Sequence, residues 1–452
     1  MRDFAAIILA AGRGTRMKSE LHKVLHPIGG RPMLRHLMAS VEALSPAIQV
    51  VIVGAGRDQV EAVLGESAQT CLQEPQLGTG HAVQQAREAL NGFTGDVVVL
   101  YGDVPFVKRE TMEAMLDRLH ADDAPKVVVL GFEPEDPGHY GRVIADQDGR
   151  IRKMVEYKDA SEDERACTLC NSGLMAASAS DMFALLDRVD NDNAQGEYYL
   201  VDVVNVATED GDSCAVICAG DEREVTGINS RTELAAAEAQ WQNLKREEAM
   251  AGGASLRAPE TVFFSWDTEI GQDVTIDPNV VFGPGVTIAD NVHIKSFCHI
   301  EGARIASGAA VGPFARLRPG VVLEEDSFVG NFVEMKQAVL GKGSKASHLA
   351  YVGDADVGAG ANIGAGTITC NYDGYFKYRT TIGERAFIGS NSALVAPITI
   401  GADAIVAAGS TVSRDVADGE LRMVRAEQLV KPGWADRFHD TMKKKKAAAK
   451  KD

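Results

Sequence analysis

Branched apolar residues recur every six positions through most of the stretch from Ile270 to Val412, and no other feature of the sequence limits the fold so strongly. One register reads Ile270, Ile276, Phe282, Ile288, Ile294, Ile300, and after a slip of one residue it resumes as Ile305, Val311, Leu317, Leu323, Val329. A third run reads Ile382, Ile388, Leu394, Ile400, Val406, Val412. Six is even, so residues six apart share a face on an extended chain, whereas a helix rotates them away from one another. Gly271, Gly283, Gly312, Gly330, Gly383, Gly389 and Gly401 stand beside these positions, where corners are expected. Short strands joined by corners coil into a parallel β-helix in which each coil buries its branched residues against the next. A β-sandwich would not keep a strict hexad over three runs.

A chain of 452 residues exceeds one hydrophobic core. Its net charge of −18 argues against nucleic acid as a general partner, which would require a basic face. No apolar run suits a membrane span, and the N-terminus enters strand and loop without a signal-peptide pattern, so a cytoplasmic location is expected. The seven cysteines are too scattered for a disulfide framework, and the pair Cys167 and Cys170 lacks the second ligand pair of a zinc knuckle.

The N-terminal half alternates short apolar runs (Ala6 to Ala10, Val50 to Val53, Val97 to Tyr101, Val127 to Phe132) with helical patterns at Pro32 to Leu44, His81 to Leu90 and Thr111 to His120. That texture predicts a Rossmann-like α/β domain with a mostly parallel sheet. A hairpin is expected at Asp148-Gly149, a helix around Glu197 to Thr208 and a strand around Cys214 to Cys218. From Arg231 to Met250 the chain is rich in helix formers and has no breaker, which suits a connecting helix. The Lys- and Ala-rich run from Lys443 to Asp452 reads as a solvated, disordered tail.

Chemistry gathers where strands end. After the first strand comes Leu9-Ala10-Ala11-Gly12-Arg13-Gly14-Thr15-Arg16-Met17, with Lys23 beyond it. Glycines and small residues let backbone N–H groups approach an anion, and Arg16 and Lys23 add positive charge, so the stretch outlines a phosphate cradle. Met17 stands where a dinucleotide fingerprint needs its third Gly, and no Gly-Lys-Ser/Thr follows as in a Walker loop. Gly102-Asp103 closes another strand and places a carboxylate where open α/β sheets bind ligands, in a setting that suits Mg²⁺.

In the repeats the hexad breaks between Gly330 and Tyr378. That interval holds Asn331-Phe332-Val333-Glu334-Met335-Lys336, then Ser347-His348-Leu349-Ala350-Tyr351, then Cys370-Asn371-Tyr372-Asp373-Gly374. An amine attacking a thioester must lose a proton, and a neutral His is well poised to take it near neutral pH, so His348 reads as a general base.

These motifs, in this order and over nearly the whole chain, resemble the bacterial family of bifunctional N-acetylglucosamine-1-phosphate uridylyltransferases and glucosamine-1-phosphate N-acetyltransferases. The resemblance implies a uridylyltransferase domain at 1–229, a linker helix at 230–250 and a left-handed β-helix acetyltransferase domain at 251–452. Leu9, Ala10, Ala11, Gly12, Lys23, Gln73, Gly78, Thr79, Tyr101, Gly102 and Asp103 would hold UTP, and Gly141, Glu156 and Asn171 the sugar. Asp103 and Asn229 would ligate Mg²⁺, with Lys23 and Arg16 stabilising the transferring phosphate. His348, oriented by Glu334, would accept the proton in acetyl transfer. Arg318, Lys336, Tyr351 and Asn362 would bind glucosamine 1-phosphate; Ala365, Asn371, Tyr372, Ser390, Ala408 and Arg425 would bind acetyl-CoA. A homotrimer is implied, with neither nucleic acid nor membrane as partner. One position departs from the family pattern: His22 replaces the usual Pro before the lysine.

Overall fold

A computed structural model describes residues 3–193 and 195–449, which form two compact units divided between Leu244 and Lys245. The first is built on strands β1 (Phe4–Ala10), β2 (Ile48–Val53), β3 (Gln69–Leu72), β4 (Asp96–Tyr101), β5 (Val127–Phe132), β6 (Arg142–Ala145), β7 (Ile151–Val155), β8 (Cys170–Ser178) and β9 (Cys214–Cys218). Seven of them run in the order β9-β5-β8-β4-β1-β2-β3, and β6 and β7 form an antiparallel hairpin that joins through β8. Within the seven-strand order the pairings are parallel except those of β8 with β4 and β5. Alternate residues of β1 serve opposite faces: Ala5, Ile7 and Leu9 enter one core, Phe4, Ala6, Ile8 and Ala10 the other. Burial on both sides is why the strand reads as a continuous apolar run.

Helices fall at Met33–Glu42, Arg109–Leu119 and Arg231–Ala251, close to expectation, and Cys214–Cys218 is a strand. Three segments differ. The helix expected from His81 to Leu90 is the shorter Thr79–Gln84, followed by turns through Leu90. The helix expected from Glu197 begins only at Asp202, because the preceding residues run alongside the Leu77–Gly80 segment: Tyr198 N–H donates to Leu77 O (2.8 Å), Gly80 N–H to Tyr198 O (2.8 Å) and Leu200 N–H to Thr79 Oγ1 (2.9 Å). The tail expected to be disordered is an exposed helix, Trp434–Ala448, since Lys and Ala favour helix even without packing; Lys450 to Asp452 lie outside the described residues.

In the second unit a coil is three hexads. Ile270 pairs with Ile288, Ile276 with Ile294 and Phe282 with Ile300, all parallel. The coil that spans the slip loses one residue, so Ile288 meets Ile305 and Ile294 meets Val311, and the full length returns in the next, where Ile305 meets Leu323 and Val311 meets Val329. Ile276, Ile294, Ile300, Val311 and Leu317 are fully buried, so the hexad positions fill the interior of a parallel β-helix. Glycine turns some of the corners, Gly312, Gly320 and Gly409 among them, and other residues turn the rest. Asp273, Asn291, Phe297, Phe314, Phe332, Leu349 and Asn391 take the left-handed backbone, whereas Gly271 has an ordinary φ and lies where the next coil comes closest, its absent Cβ sparing Asp290 N by 2.8 Å.

Where the hexad breaks, the strands lengthen. Glu334–Leu340 and Tyr351–Val357 pair along their length and join two faces of the coil. Val357 then pairs with Ile382 and Ile363 with Ile388, so the extra residues loop out between Cys370 and Thr380. Tyr375 and Phe376, at the tip, are exposed.

Candidate functional sites

The C-terminal ends of β1, β2, β3 and β4 lie side by side, with Leu9 beside Tyr101 and Ala10 beside Val53, which is beside Leu72. Loops leaving that edge enclose a cavity of about 390 Å³ lined by Leu9, Ala10, Ala11, Gly12, Lys23, Gln73, Gly78, Thr79, Tyr101 and Asp103, and also by Val24, Gln76, Ala82 and Glu197. Ten expected residues thus converge from four separate segments. Gly102 does not line the cavity; its N–H donates to Leu9 O (2.9 Å), tying the two strand ends together. Arg16 is exposed on the 3-10 turn Thr15–Met17 and also lies off the lining.

Lys23 is the hub. Its Nζ donates to Asp103 Oδ2 (2.5 Å) and to Asn229 Oδ1 (3.1 Å), partners far away in sequence. Gly14 makes room for it: its backbone is left-handed (φ +65°), and a Cβ there would lie 2.5 Å from Lys23 Cβ. Two hard oxygen donors therefore converge on one cationic atom, a donor set that fits Mg²⁺ completed by phosphate and water.

A second cavity, of about 200 Å³, shares Thr79, Tyr101 and Glu197 with the first and adds Glu156, Asn171, Gly173 and Tyr199. Gly141 does not line it, but its carbonyl accepts from Asn171 N–H (2.9 Å) and its α-carbon faces the Glu156 carboxylate. Burial, with Asp202 and Asp159 nearby, raises the Glu156 pKa above the ordinary carboxylate value. Burial likewise pushes the Tyr101 phenol up against an opposing hydrogen bond with Thr79, so Tyr101 stays neutral. Glu197 and Gln76, whose Nε2 donates to Ala11 O, escape the sequence reading. Gln76 stands inside the segment that carries Gln73 and Gly78, which is its one local signal.

In the β-helix, His348 is exposed and its Nδ1 meets Asn331 Oδ1. An amide oxygen only accepts, so in the neutral ring this contact places the proton on Nδ1 and leaves Nε2 its lone pair. The orienting group expected was Glu334, and here the structure differs. Glu334 accepts from Arg318 (3.0 Å) and lies 4.0 Å from Arg316. The cause is register: Asn331 stacks beside His348, whereas Glu334 stacks beside Tyr351. Lys377, also missed, pairs closely enough with Lys336 to push that ammonium below the ordinary lysine range, with Arg318 adding to the effect. Asn371 Nδ2 reaches Asp354 and, at 3.5 Å, the Tyr351 hydroxyl. Asn362 lies one strand further on, paired with Lys345.

The remaining expected residues run down one edge. Asn391 N–H donates to Ala365 O (2.7 Å) and Gly409 N–H to Ser390 O (2.8 Å), so Ala365, Ser390 and Ala408 occupy matching corners of successive coils. Arg425 Cδ lies near the α-carbon of Gly409, and Tyr372 is exposed on the inserted loop.

Comparison with known proteins agrees with both halves of this architecture. Residues 6–169 match the MobA-like NTP transferase domain, residues 267–302 the bacterial transferase hexapeptide of six repeats and residues 379–414 the hexapeptide repeat of succinyl-transferase. The bifunctional protein GlmU of Sphingopyxis alaskensis is 72% identical over 447 residues, covering 99% of each chain. The chain belongs to the GlmU family. GlmU proteins of Novosphingobium aromaticivorans and Zymomonas mobilis are 72% and 56% identical over 446 and 447 residues, covering at least 98% of this chain. As a GlmU-family protein it is a bifunctional transferase. It acetylates glucosamine 1-phosphate from acetyl-CoA and transfers UMP from UTP to the resulting N-acetylglucosamine 1-phosphate, giving UDP-N-acetylglucosamine and pyrophosphate.

Proposed function

We propose that the cavity at the strand ends carries out uridylyl transfer and that the broken coil around His348 carries out acetyl transfer. The observation that bears most weight is the junction of Lys23 with Asp103 and Asn229 at the cavity wall. Asp103 and Asn229 would hold Mg²⁺, which when bound draws charge from the phosphates of UTP. Leu9, Ala10, Ala11, Gly12, Gln73, Gly78, Thr79, Tyr101 and Gly102 bind the nucleotide; Gly141, Glu156 and Asn171 bind the sugar. An oxygen of the sugar 1-phosphate forms a bond to the α-phosphorus as the bond to pyrophosphate breaks. Lys23 and Arg16 stabilise the charge that builds there, and no protein nucleophile is required.

In the second unit His348 Nε2 takes the proton of the amine as its nitrogen attacks the thioester carbon, and coenzyme A leaves as the thiol. Asn331 orients the ring, and Glu334 positions Arg318 instead. Arg318, Lys336, Tyr351 and Asn362 bind the amino-sugar phosphate, an assignment supported by the cationic cluster that Arg318 and Lys336 form with Lys377. Ala365, Asn371, Tyr372, Ser390, Ala408 and Arg425 bind acetyl-CoA. We assign 1–229 to uridylyl transfer, 230–250 to a connecting helix and 251–452 to a left-handed acetyltransferase β-helix.

A cytoplasmic homotrimer completes the reading. In its favour, Phe297, Phe314 and Phe332 stack along one exposed corner with centroids 4.8 and 5.2 Å apart, and Leu349 continues the line beside His348. Such an apolar ridge suits a subunit contact. Among the described residues no helix is long and apolar enough to cross a membrane. The test is to supply glucosamine 1-phosphate, acetyl-CoA, UTP and Mg²⁺, omit each in turn, and follow thiol and pyrophosphate separately. Pyrophosphate release should depend on prior acetylation. His348→Ala should stop thiol release while leaving uridylyl transfer to supplied N-acetylglucosamine 1-phosphate intact; a retained acetyl rate would sink the assignment.

A further inference from the structure

Lys23 emerges from an exposed loop, Lys18 to Leu21, that by itself would leave its origin loose. Two hydrogen bonds from one side chain restrain this loop. Gln59, in the helix Arg57–Leu64, accepts from His22 N–H through Oε1 (2.9 Å) and donates through Nε2 to Glu20 O (3.1 Å). His22 is only 5% exposed, and neither ring nitrogen has a hydrogen-bond partner among the described residues. Its ring lies against Gly56, where an added Cβ would come within 3.3 Å of Cδ2. Burial, then Lys23 and His26, lowers the imidazole pKa and keeps the ring neutral. A buried polar ring without a partner detracts from stability, so core packing alone does not account for it. Its consequence is geometric, because His22 caps the 3-10 turn Lys23–Leu25, with Leu25 N–H donating back to His22 O (2.9 Å).

We infer that Gln59 and His22 form a clamp that positions Lys23 for uridylyl transfer, with Gln59 holding the loop backbone at two points and the His22 ring wedging the turn beneath Gly56. Neither side chain lines the cavity; both act through Lys23. The backbone angle at His22, φ −57°, is one a proline ring would impose. Proline would fix the turn covalently but would remove the N–H that Gln59 grips. The clamp therefore does by hydrogen bonding what a ring does by covalent constraint.

This inference rests on the assignment of Lys23 to uridylyl transfer, and the experiment separates the two. Steady-state kinetics of both activities are measured in the full chain for Lys23→Ala, Gln59→Leu, His22→Pro and the Gln59→Leu/His22→Pro double variant. Full uridylyl activity in Lys23→Ala would overturn the site assignment itself. If Lys23→Ala is inactive, the clamp requires that Gln59→Leu lower the uridylyl kcat by about tenfold. The KM for N-acetylglucosamine 1-phosphate and the acetyl rate should not change. In the His22→Pro background the same substitution should cost less, about twofold or under, because the bond from His22 N–H is already absent and only the bond to Glu20 O is left to lose. An equal loss in both backgrounds, no loss in Gln59→Leu, or a loss confined to KM would overturn the clamp. Should His22→Pro be inactive or unfolded, amide hydrogen exchange decides: Gln59→Leu should speed exchange of His22 N–H together with the loss of kcat, and a loss of kcat with unchanged exchange there would equally overturn it.

Discussion

At the scale of the residue, each site is a few side chains whose meaning comes from their partners. Asp103 shares the Lys23 ammonium with Asn229, so Asp103→Ala should abolish pyrophosphate release in a folded protein while thiol release continues. Equal loss of both would refute the assignment. Gly14 has a stricter requirement than any charged neighbour. Gly14→Ala combines a left-handed backbone with a collision against Lys23 Cβ, and should reduce uridylyl transfer on the order of a hundredfold. Glu156 exchanges stability for affinity. Its folded pKa is raised, so burying its charge costs stability as pH rises from the unfolded carboxylate value through the raised one, and the cost is fully present above the raised value. Glu156→Gln should therefore raise the melting temperature of the first unit at pH 7 while raising the KM for N-acetylglucosamine 1-phosphate, as calorimetry and kinetics would check. Lys23, Asp103 and His348 are individually legible because they stand in recognisable strings. Asn331 and Lys377 are not, since only the stacking of coils makes them neighbours of His348 and Lys336.

At the scale of the element, the strands read clearly and the exceptions have causes. Residues 197–201 have the composition of a helix start, yet their backbone bonds to Leu77, Thr79 and Gly80 across the cavity mouth, and a long-range pairing overrides the local preference. The Trp434–Ala448 helix errs the other way: nothing packs on it, and local propensity alone forms it. In the β-helix the spacing between coils is set by backbone contact. A Cβ on Gly330 would fall on the Ser347 carbonyl, one residue from both Asn331 and His348. Gly330→Ala should separate the two coils there and cut acetyl transfer at least tenfold, by misplacing His348. Uridylyl transfer, measured on the same sample with supplied N-acetylglucosamine 1-phosphate, should be unaffected.

At the scale of the whole molecule, two units with their own cores carry two reactions that share an intermediate. If a subunit contact completes the acetyl site, dilution below the dissociation range should lower the acetyl rate per chain and spare the uridylyl rate; parallel sedimentation measurements would show whether the loss follows dissociation. The order of the units, the α/β and coiled architectures and the small-residue loop after the first strand are all determined by the sequence itself, because each rests on a pattern that repeats or runs within a short span. A hexad of buried residues permits few folds, and a small-residue loop after a strand has few uses. The tertiary structure alone decided which groups meet. Lys23 reaches Asp103 and Asn229 because separate strand ends and a distant loop converge, and nothing local records that convergence. His348 faces Asn331 and not Glu334 because a coil shortened by one residue sets the register, and on an extended chain a shift of register decides which side chains can touch.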